Sequence, residues 1–223
     1  MTTLHAPSFG SRPKKAAKPV FMTEQEFIDW NEEGVRAEWV DGQVEFLNAV
    51  ALDHADLAFF LARLIAGFFE ENDLGKVWNE PYQVRLGAQK RRRLPDIFFA
   101  STSRLNLVER HQFNGAPDLI VEVVSPDGQT RDRRVKFNEY QKAGVQEYWL
   151  PDPRRRTIDA YSLDASGRYQ PLPVEKGQIN SLVLRGLFVK VDWVYQLKLP
   201  KTAALIQQMT RNRKKLLRAS EKR

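Results

Sequence analysis

The 223-residue sequence has no cysteine and only three histidines, His5, His54 and His111. The missing thiols exclude disulfides, thiolate metal sites and a cysteine nucleophile. A three-histidine zinc centre would need every imidazole in the chain, including His5 in a stretch that reads as a tail. Long apolar runs are missing too. The longest, LAFFLARLIAGFF, is broken by Arg63 and is too short to span a bilayer. The N-terminus has basic residues but no apolar stretch ahead of a small-residue cleavage site, so it does not read as a secretory signal. These absences predict a cytoplasmic protein with no membrane partner. No P-loop, zinc-finger or RNA-recognition signature occurs.

Acids are scarce at both ends. The formal charge is +7, but residues 1 to 19 hold four lysines or arginines and no acid, and residues 198 to 223 hold nine against Glu221. The body between them is therefore net acidic, and the basic character belongs to the ends. The division expected is a basic, flexible N-terminal tail over 1–20, one domain over 21–197, and a basic C-terminal tail of partly helical pattern over 198–223. Such tails suit weak contact with polyanions or plain solvation equally well. A hydrophobic fraction of 42% is enough to build one core.

Local patterns predict the elements. Thr23 stands three residues before Glu26, a capping box opening a short helix that Gly34 can close. RAEWVDGQVEF reads as a hairpin about Asp41-Gly42, with Val40 facing Gln43, Trp39 facing Val44, and Glu38 opposite Glu45. Facing carboxylates repel, so one of them must meet a cation or bend away. Leu57, Leu61, Ile65 and Phe68 recur at helical spacing in a long core helix over 52–72. His54 lies one turn earlier on that face, and reads as a core or capping histidine ahead of a site residue. Strands are predicted at 76–86, 94–100, 118–124, 146–152 and 157–163, with a helix from about Asp132 to Gly144. The order gives an α/β domain with a mixed central sheet flanked by helices. The aromatics fall at core spacing and give no stacking platform.

The chemistry-bearing residues are acids placed within strands. LPDIFFA carries Asp96 and PDLIVEVVSP carries Asp118 and Glu122, in runs otherwise fit for a sheet interior. Asp118 follows a proline at the strand's start and reads as a cap. Asp96 and Glu122 need a counter-charge, because a buried carboxylate is costly without one. Two such acids on adjacent strands make an oxygen-rich site for Mg²⁺ or Mn²⁺, which can activate water and neutralise charge on a phosphodiester.

PD at 95–96 followed by Glu122 resembles the restriction-endonuclease-like PD-(D/E)XK superfamily. More closely, AEWVDGQV, LPDIFFA and EVVSP, followed by the spaced set RD...K...Y...GV.EYWL.DP, resemble the Uma2 family over residues 22 to 195. The resemblance implies a restriction-endonuclease-like core with an extra N-terminal hairpin, and a Mg²⁺- or Mn²⁺-dependent endonuclease acting on DNA. It implies Asp96 and Glu122 as catalytic metal ligands and Glu38 as a third acid. The superfamily's lysine is missing at position 124, which is Val124, and the Uma2 pattern moves that role to Lys136. Each residue also has a plainer reading: Lys136 as an exposed helix lysine, Glu38 as a hairpin surface acid, Asp96 as a group bonded to backbone amides.

QKRRRLPD places Lys90, Arg91, Arg92 and Arg93 just before Asp96, and Arg131, Arg133 and Arg134 open the Lys136 helix. These are the expected phosphate contacts, with a solvated hairpin loop the plainer reading for at least two of the first four, while Arg154 to Arg156 are expected to face solvent. A homodimer that cuts both strands is compatible with the sequence. The alternative function is a catalytically inactive nucleic-acid-binding module with the same fold. A two-carboxylate glycosidase finds no support, since no sugar-facing aromatic groove can be read.

Overall fold

The computed structural model describes residues 19–31, 36–125 and 128–221. Nearly all of the expected N-terminal tail, with His5, and the proposed helix stop at Gly34 lie outside the described residues. In order the chain forms β1 (Val20–Phe21), α1 (Glu24–Asn31), β2 (Ala37–Val40), β3 (Gln43–Phe46), α2 (Leu52–Glu70), β4 (Gly75–Asn79), β5 (Gln83–Leu86), β6 (Arg91–Arg93), β7 (Ile97–Ser101), β8 (Gln112–Asn114) and β9 (Leu119–Val121). A π-helical turn at Arg131–Lys136 leads into α3 (Phe137–Ala143). Then follow β10 (Glu147–Asp152), β11 (Thr157–Leu163), β12 (Tyr169–Pro171), β13 (Val174–Glu175), β14 (Gln178–Asn180), β15 (Phe188–Lys190) and α4 (Thr202–Ser220).

The capping box forms at α1: the Thr23 backbone N–H donates to Glu26 Oε2 at 2.7 Å, and the Glu26 N–H donates to Thr23 Oγ1 at 3.2 Å. The hairpin also takes the predicted register, with Trp39 opposite Val44 and Glu38 opposite Glu45. Asp41 and Gly42 both have positive φ, 50° and 92°, as a two-residue turn between twisted strands requires.

The central sheet has the order β12-β11-β10-β9-β7-β4, with β9 and β10 parallel and the other pairs antiparallel. One face carries Phe99, Leu119, Val121 and Trp149 against the apolar stripe of α2, where Phe69 stacks on Phe99 at 3.8 Å between ring centroids. The other face carries Phe98, Ile120, Tyr148 and Leu150 against Tyr140 of α3 and against Val84, Leu86 and Phe113 of a second sheet. That second sheet, β1-β3-β2-β6-β5-β8, includes the hairpin. The fold is thus the mixed α/β class that the sequence predicts. No helix among the described residues is long and apolar enough to cross a membrane.

Two segments differ from expectation. The strand predicted over 76–86 splits into β4 and β5, which belong to different sheets. Pro81 stands at the break, where a ladder donor is missing. The expected C-terminal tail is α4, and its first half is part of the body. Met209 is fully buried, and Leu205 and Ile206 pack on the core. Gly67 of α2 allows this approach, since a Cβ there would stand 2.4 Å from Ile206 Cδ1.

The small sheet β13-β14-β15 is tied to the centre by the fully buried Glu147. Its carboxylate accepts the Leu182 and Val183 backbone N–H groups, the Ser181 hydroxyl and the Trp149 indole N–H, at 2.6 to 3.1 Å. Burial raises its pKa, and the four donors oppose that rise. Glu147→Ala strands several donors in the interior, so it should lower stability by about 3 kcal/mol or more in urea unfolding. A loss under about 1 kcal/mol would show the clasp to be dispensable.

Candidate functional site

The pairing of β7 with β9 brings the two strand acids together. Ile97 is opposite Val121 in that antiparallel ladder, so the next residues outward, Asp96 and Glu122, leave the same end of adjacent strands. Asp96 Oδ2 accepts the Val123 N–H at 2.7 Å, and Oδ1 meets His54 Nε2 at 3.1 Å, from the first turn of α2. The Glu122 N–H continues the parallel pairing by donating to the Trp149 carbonyl at 3.0 Å. Its side chain is almost wholly buried. Oε1 accepts from the Lys136 ammonium at 2.8 Å and from the Tyr140 hydroxyl at 2.9 Å.

Lys136 arrives on the π-helical turn, a geometry that often marks functional positions. Only 2% exposed, it lies 2.8 Å from Glu122, 3.2 Å from Glu38 and 3.9 Å from Asp132. Burial disfavours its charge, yet Glu122, Glu38 and Asp132 together raise its pKa. The ammonium therefore stays protonated. Glu38 is fully buried, and burial alone would raise its pKa. Lys136 and Arg93 outweigh that and hold it down to about 2. Glu122 goes the other way: burial raises its pKa, the anions Asp96, Asp132 and Glu38 add to this, and Lys136 only partly opposes it. Asp132 is raised mainly by burial, against Lys136 and Arg131. For His54, burial favours the neutral ring, but the bond to Asp96 and the nearby Glu122 and Glu80 raise the pKa overall.

Asp96, Glu122, Asp132, Lys136, His54 and Arg131 line one cleft of about 340 Å³. Three of the four predicted catalytic residues therefore face a common space. Asp118 does not join them; it caps the start of β9 by accepting from the Ser101 N–H at 2.7 Å and pairing with Arg104 at 3.0 Å.

Glu38 takes a different place from the expected metal ligand. Its Oε1 accepts the Leu94 N–H at 3.0 Å and faces Lys136, and its Oε2 accepts from Arg93 at 2.8 Å. With both oxygens engaged and no exposure, it anchors Lys136 from behind the cleft. The predicted phosphate contacts at 91–93 are also corrected. Arg93 has no exposure and binds Glu38, Glu45 and Glu139; Arg92 binds Glu24; Arg91 binds Asp41 and Glu139. Their charge is spent on internal carboxylates. The facing pair Glu38 and Glu45 is reconciled by this means, since both reach Arg93. Lys90 is exposed but does not line the cleft, and Arg133 pairs with Asp152 and Asp159. Arg131 does line it, joined by two cations the sequence reading missed in that role, Arg36 and Arg154.

Asp132 and Tyr140 were also missed. The signal for them was the spacing of Asp132, Lys136 and Tyr140 four residues apart, on one side of a helical segment. For His54 a site role was the second reading, and its partner Asp96, 42 residues away, could not be read locally.

A family model, Uma2, described as "Putative restriction endonuclease", matches residues 24–192. The uncharacterized protein slr1290 of Synechocystis sp. is 24% identical over 177 residues, covering 78% of this chain and 92% of the relative. A crystal structure from Anabaena variabilis, titled as a putative nuclease belonging to DUF820, superposes with a TM-score of 0.54 at 18% identity. The match covers 78% of this chain and 90% of that one, and it shows a shared fold.

The cluster makes stability depend on acid. Because Glu38 is held at about 2 in the folded chain against an ordinary 4.5, its contribution is complete above 4.5 and is lost as pH falls towards 2. Glu38→Gln should cost roughly 3 kcal/mol at neutral pH, since it leaves buried cations short of a partner. It should also flatten the acid limb between those two values. Urea midpoints measured across that window check this; an unchanged slope would mean that Glu38 is not ion-paired.

Proposed function

The chain belongs to the Uma2 family, and from that membership and the cleft geometry we propose that it is a divalent-metal-dependent endonuclease that hydrolyses phosphodiester bonds of DNA. The observation that carries this reading is the convergence of Asp96 and Glu122 at one end of paired strands, with the Lys136 ammonium 2.8 Å from Glu122.

The residues suit a hard cation. The donors are carboxylate oxygens, and the buried Asp132 Oδ1 in the same cleft has no hydrogen-bond partner. Burial and mutual repulsion already raise the pKa of Glu122, so a cation would relieve an excess of negative charge. Among the described residues no group of three or more His, Cys, Asp or Glu side chains is arranged to hold a metal ion. The proposal therefore needs Mg²⁺ or Mn²⁺ to be held by Asp96 and Glu122 alone, with water and phosphate oxygens as the remaining ligands. When bound, the cation would supply charge neutralisation at the phosphodiester and acidify an attacking water.

The other groups act around that pair. The Val123 N–H and His54 fix the Asp96 carboxylate from two sides. Lys136, kept protonated by three acids, is suited to hold water or stabilise charge on the phosphorane oxygens, and unsuited to serve as a general base. Arg131 and Arg154 in the cleft wall are placed to meet flanking phosphates, while Arg36 is held there by both oxygens of Glu80 at 2.6 and 2.7 Å. A second reading, a catalytically inactive nucleic-acid-binding module, has one observation in its favour. Both Asp96 oxygens and Glu122 Oε1 already have protein partners.

Calorimetric titration of Mn²⁺ separates the two readings. Wild type should bind, and Asp96→Asn, which keeps the shape, should not; metal-dependent nicking of plasmid DNA should disappear with it. Equal binding by both would sink the assignment of Asp96, and no binding by wild type would favour the inactive module.

Lys136→Met should lower cleavage by about a hundredfold or more. Its Mn²⁺ affinity should be equal or tighter, because a competing cation is removed. Unchanged turnover in a folded Lys136→Met would move the electrostatic role elsewhere.

A further inference from the structure

Beside the cleft, the first turns of α2 and the segment 193–203 leading into α4 bound a wider groove of about 1030 Å³. Asp53 and Pro153 line both spaces, so the groove adjoins the carboxylate cleft. The groove is rich in side chains that folding leaves uncovered. Leu52 is 76% exposed, Phe59 64% and Tyr195 46%. Each of the two rings has a guanidinium over it: Arg63 at 5.4 Å from the Phe59 centroid, and Arg156 at 5.3 Å from that of Tyr195. The charged lining consists of Arg63, Arg156, Lys198 and Lys201 against Asp53 and Asp56, so its balance is positive.

We propose that this groove binds a single nucleic-acid strand through its unpaired bases, with Phe59 and Tyr195 as stacking faces, next to the phosphate held in the cleft. The proposal rests on the nuclease reading of that cleft and adds the form of the substrate. Every base has a π-face, so exposed rings along a basic groove bind a strand without reading its sequence. The arginines serve both parts, lying on an aromatic plane while offering N–H donors to phosphate. Bases stacked within an intact duplex cannot reach the rings. The substrate preferred is therefore a strand already unpaired beside the scissile bond.

A second copy of this chain is the competing occupant, because Leu52 and Phe59 would suit an apolar interface. The charge distribution argues against it. The core of a protein interface is depleted in lysine and aspartate, whereas Lys198, Lys201, Asp53 and Asp56 all line this groove.

Fluorescence anisotropy in EDTA tests the proposal without cleavage, using a labelled single strand of about 15 nucleotides, an abasic strand of equal charge, and a blunt duplex. Wild type should prefer the base-bearing strand over both others. Phe59→Ala with Tyr195→Ala should weaken that binding roughly tenfold per ring and leave the abasic strand unaffected. Both rings are exposed, so the variant should keep its melting temperature, and Phe59→Trp with Tyr195→Trp should retain binding. Equal affinity for the base-bearing and abasic strands, or equal loss on both, would overturn the proposal. So would a wild-type dimer in sedimentation that Phe59→Ala with Tyr195→Ala dissociates, since the groove would then belong to a second copy. With no metal present, these readings are independent of the Mn²⁺ titration, so failure of the carboxylate site and failure of the groove can be told apart.

Discussion

The arrangement depends on one buried ammonium. Lys136 is surrounded by Glu122, Glu38 and Asp132, and none of these four charges has ready access to solvent. Removing ions from water costs several kcal/mol for each, and the return depends on close opposite charges and satisfied hydrogen bonds. The fold meets that condition by converging on Lys136 from separate elements: Glu38 from β2, Glu122 from just after β9, and Asp132 from the same helical turn. A charge held this way has one position, which is what the role proposed for it would require.

The second sheet can be understood as the support for that charge. Its hairpin presents Glu38 to Lys136, and β6 presents Arg93, which spans from Glu38 and Glu45 on the hairpin to Glu139 on α3. The hairpin and the helix are thereby tied to a common cation. Arg91 repeats the link between the Asp41 turn and Glu139, and Arg92 extends it to Glu24 on α1. A run of three arginines that reads as a polyanion contact is a connector among the chain's own acids.

That misreading shows where sequence reasoning ends. Patterns closed within a few residues were legible: the Thr23–Glu26 capping box, the Asp41-Gly42 register, the apolar stripe of α2. That Asp96, Glu122 and Lys136 meet at one cleft was legible through their ordered spacing and a family resemblance. What escaped were pairings between distant parts of the chain. Arg93 and Glu139 are 46 residues apart, and His54 and Asp96 are 42 apart, so local charge revealed neither partner. The same limit applies to α4, whose basic residues suggested a tail while Leu205, Ile206 and Met209 packed it on the core. It applies also to Phe59, which shares a helix with core residues, although only a three-dimensional arrangement shows that it faces outward.

Packing beside β9 bears on where a lysine can meet Glu122. Side chains alternate along a strand, so positions 120, 122 and 124 share a face. On that face Ile120 and Val124 lie in the apolar cluster with Tyr140, Tyr148 and Phe98. Val124 borders the cleft as well, but its branched side chain fills space in that cluster, and a lysine at 124 would leave a gap where it now packs. Delivery from the helical turn above the same face avoids this conflict. The strand keeps its apolar contacts, Tyr140 from the next turn donates to the same Glu122 oxygen, and the ammonium meets the carboxylate from outside the sheet. The charge beside Glu122 is thus supplied without disturbing the apolar packing at position 124.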